Sequence, residues 1–175
     1  MIDNEILNCI ANRKSVRKFT NQAVSKEQTI TLVKAGMSAP SAKNQQVWTF
    51  VAITDRNTLD NLAEKLPYAK MLKTATLAIV VCGDMSKLSN PEIEINWIMD
   101  CSAATENILL AAEAIGLGAV WTAAYPYKDR IESVCTTLNM PENLIPLSVV
   151  PIGYSNDDSP VKDKWNENHL HWEKW

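Results

Sequence analysis

The sequence contains no C-x-x-C pair, no G-x-G-x-x-G or Walker loop after a strand, and no apolar run of membrane-spanning length. Each absence removes a class of protein. Without paired cysteines there is no zinc ribbon or thioredoxin-like redox motif. Without a glycine-rich phosphate loop, any nucleotide must be held by side chains. Without a long apolar run, no spanning helix is expected. Basic excess is also missing: the formal net charge is −3, which argues against a dedicated nucleic-acid binder. The first residues, Met-Ile-Asp-Asn-Glu, show no basic n-region or apolar h-region, so no secretory signal is expected. The four cysteines, Cys9, Cys82, Cys101 and Cys135, sit in apolar or helical settings and read as structural thiols in a reducing cytoplasm. His169, His171 and Glu173 form an H-x-H-x-E tail, but no further ligand cluster completes a site, and no metal is expected.

Against this background one stretch stands out. Arg13-Lys14-Ser15-Val16-Arg17-Lys18-Phe19 places four basic residues in seven of an acidic chain. Guanidinium groups give forked, charge-assisted hydrogen bonds and a serine hydroxyl fills a remaining oxygen site, so the cluster suits a phosphate. It also suits a helix C-terminus, where cations are favoured by the macrodipole. Lys18 reads as a solvated neighbour and Phe19 as a core anchor.

At 175 residues one domain is the default. Ile2, Ile6, Leu7 and Ile10 repeat at helical spacing, predicting a first helix that ends near Asn12. Ser25 to Gln28 is a capping-box pattern, opening a helix with Ile30, Val33 and Met37 on one face; Pro40 stops it. Strands are predicted over Val47–Ile53, Leu77–Cys82, Ala119–Ala124 and Leu147–Ile152, and further helices over Asp55–Leu66, Glu92–Ile115 and Lys128–Leu138. The Leu77–Cys82 run is apolar throughout, as expected of a strand buried on both faces. The longest helix is apolar nearly all round, through Trp97, Cys101, Ala104, Ile108 and Ala112, which fits a protein centre or a subunit interface. After Gly153 the chain is polar but carries Trp165, Trp172 and Trp175. Three tryptophans are unlike a disordered tail and predict that it packs on something, a second subunit being one candidate.

A second chemical feature is Pro40-Ser41-Ala42-Lys43-Asn44-Gln45-Gln46-Val47-Trp48, a helix-to-strand connection crowded with hydrogen-bonding groups. Its amides offer donor and acceptor together, matching an edge such as a flavin pyrimidine ring. Turn chemistry uses the same residues.

The ordered motifs resemble the FMN-dependent nitroreductase family: the basic cluster after a first helix, then Pro-Ser-x-x-Asn-x-Gln-x-Trp, then Asp100-x-x-Ala103-Ala104-x-x-Asn107 with Gly116-Leu117-Gly118 and Trp121, then Pro160-Val161-Lys162-Asp163-Lys164-Trp165. The resemblance implies an α+β fold: one domain over 1–175, with a mixed central sheet between helices in three layers. It further implies a homodimer with FMN sites at the interface and an extension, 154–175, wrapping the partner.

By position it implies that Arg13, Lys14, Ser15 and Arg17 contact the FMN phosphate, ribityl chain and pyrimidine edge, with Lys162 and Lys164 completing the phosphate site. Pro40, Ser41 and Ala42 match a loop reaching the partner's flavin, and Asn44 and Gln46 match amides near it. Lys70 resembles a lysine at the flavin N1–O2 edge, where a cation stabilises the reduced ring; Arg13 is a second candidate. Thr122, Ala123 and Ala124 match backbone approaching N5. The implied activity is NAD(P)H-dependent reduction of a small acceptor such as a nitroarene or quinone, with no side-chain acid or base required. A flavin storage or sensing protein is the rival reading, and a cofactor-free scaffold a third. Val47 stands where the family often has proline, and the absence of a large insertion before the last strand implies an open pocket.

Overall fold

The structure is a computed structural model and describes residues 2–88 and 95–175. Helix α1 (Glu5–Asn12) is capped by Asn4, whose Oδ1 accepts from the Ile6 and Leu7 amides. Helix α2 (Lys26–Met37) opens on the expected capping box: Ser25 Oγ accepts from Gln28 N, and Gln28 Oε1 from Ser25 N. Strand β1 (Trp48–Ile53) leads into α3 (Arg56–Lys65), capped by Asp55, then a 3₁₀ turn at Lys70–Lys73 and β2 (Leu77–Asp84). Helix α4 (Asn96–Ala114), the short strands β3 (Gly118–Ala119) and β4 (Thr122–Ala123), α5 (Lys128–Leu138) and β5 (Leu144–Gly153) follow. The Glu92–Glu94 start expected for the long helix lies outside the described residues.

The sheet order is β1-β2-β5-β3, with β4 also on β5. Its pairings are antiparallel, and the one parallel pairing among the described residues is the isolated Ser15–Ala119 bridge. This corrects the mixed sheet that the resemblance implied. A parallel crossover must traverse the sheet, whereas α3 returns the chain to the end it left, so that Ile53 pairs with Ala78.

Period-two alternation divides the core. Leu77, Ile79 and Val81 join the cluster with α4 residues Cys101, Ala104 and Ile108, while Ala78, Val80 and Cys82 face α3 and α5. Every residue from Leu77 to Gly83 is buried, as predicted. A bulge at Val81/Cys82, opposite Leu147, adds one residue to β5. Leu147 thereby joins Val150 and Ile152 in the α4-side cluster.

Two further expectations change. The face of α2 that packs is Leu32 and Gly36 with the expected Val33 partly buried beside them, whereas Ile30 and Met37 are exposed. Gly36 decides this, because a Cβ there would lie 2.9 Å from the Phe50 ring and 3.1 Å from Ile108. The strand expected over Ala119–Ala124 is two pieces in one register: Ala119 opposes Ile152 and Thr122 opposes Val149. Between them Val120 N donates to Pro151 O at 3.2 Å, and proline has no N–H to return the bond.

Candidate functional site

The basic segment is stitched to the sheet rather than left as a solvated helix end. Arg13 closes α1, its N–H donating to Cys9 O. Ser15 then bridges Ala119, Val16 N donates to Ala119 O at 3.0 Å, and Thr20 N donates to Tyr154 O at 2.9 Å. Val16 and Phe19 are buried, so Arg17 between them is directed outward. Gly118 makes this possible: a Cβ there would sit 2.7–2.9 Å from three Val16 atoms.

Returning past β5, the tail runs back over the same segment. Asn156 N donates to Lys18 O, and Lys14 Nζ donates to Asp157 O at 2.9 Å and to Ser159 O. The hydroxyl and N–H of Ser159 hold the Asp157 carboxyl below its ordinary range. The result is a cleft of about 390 Å³ lined by Arg13, Lys14, Ser15, Arg17, Asp157, Ser159, Pro160, Val161, Lys162 and Lys164. Five cationic side chains thus meet a single carboxylate. Arg13 Nε also lies 3.5 Å from Glu106 Oε1 on α4, and Arg17 Nη1 donates to Ser15 O at 3.3 Å.

Arg17 continues into a second cleft of about 460 Å³, shared with Tyr68, Lys70, Met71, Val120, Trp121, Thr122 and Ala123. Lys70 lines it, but its ammonium caps the end of α3, donating to Ala63 O at 3.0 Å and Glu64 O at 3.4 Å. Thr122 Oγ1 donates to Val149 O at 2.6 Å. Ala124 is buried in the core and lines neither cleft.

The loop Pro40–Gln46 stands apart. None of its residues lines either cleft. Ala42 N donates to Asp100 Oδ1 on α4 at 3.0 Å, Gln46 N to Ser41 Oγ at 3.0 Å, and Lys87 Nζ to Gln46 O at 3.2 Å. Lys43, Asn44 and Gln46 all hold φ between +50° and +55°. Gln46 Nε2 donates to Asn44 Oδ1. Val47, expected in the strand, is fully buried just before it.

The roles of two residues of this architecture were not read from the sequence. Asp100 is buried, and its Oδ2 has no hydrogen-bond partner among the described residues. In the sequence it stood only as the first residue of the Asp100-x-x-Ala103-Ala104-x-x-Asn107 motif. Arg130, in the first turn of α5, lies 3.7 Å from the Tyr127 ring centre and 5.1 Å from that of Tyr68, and Nη1 donates to Ala123 O at 3.2 Å. On a charged helix it reads as solvated.

The cysteines are free; Cys82 and Cys101 are buried, and burial pushes the Cys101 thiol up to about 12 and Cys82 higher still. That suits packing rather than nucleophilic chemistry. Among the described residues no group of His, Cys, Asp or Glu is arranged to hold a metal, and no helix is long and apolar enough to cross a membrane.

Comparison with known proteins gives the family. The profile of the nitroreductase family matches residues 10–67 and 63–154. A protein of Archaeoglobus fulgidus, provisionally described as an NADH dehydrogenase/NAD(P)H nitroreductase, is 41% identical over 174 residues, covering 98% of this chain and 99% of its own. The crystal structure of a Parabacteroides distasonis protein with the same provisional description shares 50% identity at a TM-score of 0.92, covering 99% of this chain and 100% of that one. That of a provisionally described nitroreductase from Desulfovibrio desulfuricans, in complex with FMN, shares 29% identity at a TM-score of 0.83, covering 99% of each chain. The profile spans most of the sequence and the Archaeoglobus and Parabacteroides relatives cover nearly all of it at 41–50% identity: the chain belongs to the nitroreductase family.

Proposed function

We propose that this chain is an FMN-dependent oxidoreductase that uses NAD(P)H to reduce small acceptors such as nitroaromatics or quinones in a ping-pong cycle. The observation that carries the reading is the cleft where Arg13, Ser15, Arg17, Lys162 and Lys164 meet in a chain of net charge −3. A phosphate monoester brings close to two negative charges and three acceptor oxygens. Guanidinium forks, ammonium groups and a hydroxyl match that demand without a glycine-rich loop. The FMN bound by the Desulfovibrio desulfuricans relative and the NAD(P)H named for the Archaeoglobus fulgidus one support it.

The residues divide the work. Arg17, shared between the clefts, spans from phosphate to ring. Lys14 acts through the tail: its bonds to Asp157 O and Ser159 O set the turn that delivers Lys162 and Lys164. Lys70 reaches the ring edge on releasing the α3 carbonyls. Thr122 and Ala123 present backbone to the second cleft, while Ala124 serves by anchoring it, its N–H bonded to Leu147 O at 3.0 Å. When bound, FMN supplies the two-electron chemistry, taking hydride from NAD(P)H and passing electrons to the acceptor. The protein binds, orients and leaves one ring face open to both substrates.

The working unit is a homodimer in this reading. Pro40, Ser41, Ala42, Asn44 and Gln46 lie away from the basic cleft of their own chain and serve the cleft of the partner. Exposed apolar groups support this: Ile6 and Ile10 on α1, Met99 on α4, and Trp165, Trp172 and Trp175 in the tail, the last three 71–100% exposed. Patches of this kind mark association surfaces. The 154–175 extension clasps the partner around the single 1–175 domain, and the free thiols suit a reducing cytoplasm.

The test is to purify the protein with FMN and follow NAD(P)H oxidation on addition of a nitroarene or quinone. Turnover that needs both FMN and acceptor is expected. A yellow protein without turnover makes it a flavin store or sensor, and a protein with no flavin spectrum refutes the cofactor assignment. A stable monomer that retains flavin refutes the shared site.

A further inference from the structure

The edge strand β3–β4 carries the argument. In an antiparallel ladder, residues alternate between turning N–H and C=O toward the partner and turning both away. Val120 N and Ala124 N donate to β5, at Pro151 O and Leu147 O, so the intervening odd residues face outward. Two of these outward carbonyls have partners. Ala119 O accepts from Val16 N, which docks the basic segment. Ala123 O accepts from Arg130 Nη1 at 3.2 Å. The Ala123 N–H points the same way, beside the cleft it lines with Lys70 and Trp121.

Arg130 is itself held. Its guanidinium lies 3.7 Å from the Tyr127 ring centre and 5.1 Å from that of Tyr68, and its Nε is buried with no hydrogen-bond partner among the described residues. A cation fixed between two rings is a stiff donor. Tyr68 and Tyr127 flank α3 and α5 respectively, so this donor ties both helices to one peptide of an edge strand.

We propose that Arg130 is a positioning residue: gripped by Tyr68 and Tyr127, it locks the Ala123–Ala124 peptide and, through the shared Ala123 Cα, holds the outward Ala123 N–H of the adjoining peptide toward the reactive edge of the flavin. This rests on the assignment of FMN above. An N–H held there donates to a ring nitrogen that is an acceptor in oxidised FMN and carries a proton in reduced FMN. The lock therefore favours the oxidised form, and releasing it raises the reduction potential.

Arg130→Met and Arg130→Lys test this by two readouts. In flavin-free protein, the Ala124 and Tyr125 amides, both bonded to Leu147 O, exchange about tenfold faster in Arg130→Met. In FMN-loaded protein, oxidised FMN binds about tenfold more weakly with reduced FMN unchanged, a rise of about 30 mV for a two-electron couple. Arg130→Lys, which still donates to Ala123 O, restores both toward the parent. If Arg130→Met does not fold, Arg130→Leu, which also lacks a donor, takes its place. Parent-like exchange, or a parent-like potential, in the variant lacking the donor overturns the lock. Failure of the parent to bind FMN refutes instead the cofactor assignment, and leaves the exchange readout to judge the lock.

Discussion

The two polar segments of this chain, Arg13–Arg17 and Pro40–Gln46, are built on opposite plans. The first follows extended backbone, bonded on both sides to β3 and to the chain after β5, with Val16 and Phe19 as anchors in the core. Its charges converge on a cleft that one chain completes by itself. The second holds three non-glycine residues at positive φ, of order 1 kcal/mol each, and hangs from Asp100, Ser41 and Lys87. It faces no cleft of its own chain among those described above. A preformed anion site and a strained loop without a local ligand teach different things: the former says what binds, the latter that something outside the chain is needed to use it.

The largest effect that would break this contrast comes from Gly118→Ala. A Cβ 2.7–2.9 Å from Val16 pushes the basic segment off the sheet. We expect a loss of about 1–3 kcal/mol in denaturant unfolding, with FMN affinity falling alongside. Unchanged FMN binding would show that the segment does not need its seat on β3. Arg17→Ala removes charge without disturbing that seat, since the side chain bonds only Ser15 O among the described residues. Stability stays near the parent value, and FMN binding weakens by about 1.5–3 kcal/mol, roughly 10- to 150-fold, read by equilibrium dialysis.

Asp100→Ala probes the other segment. Freeing Ala42 N–H costs about 1 kcal/mol. Limited proteolysis within 40–46 should speed up and turnover fall, while the preference for FMN over riboflavin is kept. Loss of that preference would mean that the loop, not the cleft, reads the phosphate. Ser41→Ala, which removes only the bond to Gln46 N, sits at the bottom of the scale at about 0.5–1 kcal/mol, with the same pattern.

Much of this was legible in the sequence where local rules decide. The Ser25 capping box and the Lys128–Leu138 helix stand as read, and the Leu77–Cys82 run is buried on both faces. What periodicity does not carry is direction and partner. It marks strands without saying which way they run, so the antiparallel sheet was missed. It scores Ile30 and Met37 as a face, but close approach of Phe50 to Gly36 decides the packing. The basic segment was recognised by chemistry and the Lys162–Lys164 pair through the family resemblance, and the fold brings them together across some 145 residues. The roles of Arg130 and Asp100 were invisible, though Asp100 stood within a motif, because they lie in single bonds to distant backbone, at Ala123 O and Ala42 N.

The most direct test of the central claim is to titrate the flavin-free protein with FMN and with riboflavin, which lacks only the phosphate, following flavin fluorescence. If Arg13, Arg17, Lys162 and Lys164 hold that phosphate, FMN binds at least about 100-fold more tightly, and the gap narrows as salt is raised. Equal affinity for the two at low salt would contradict it.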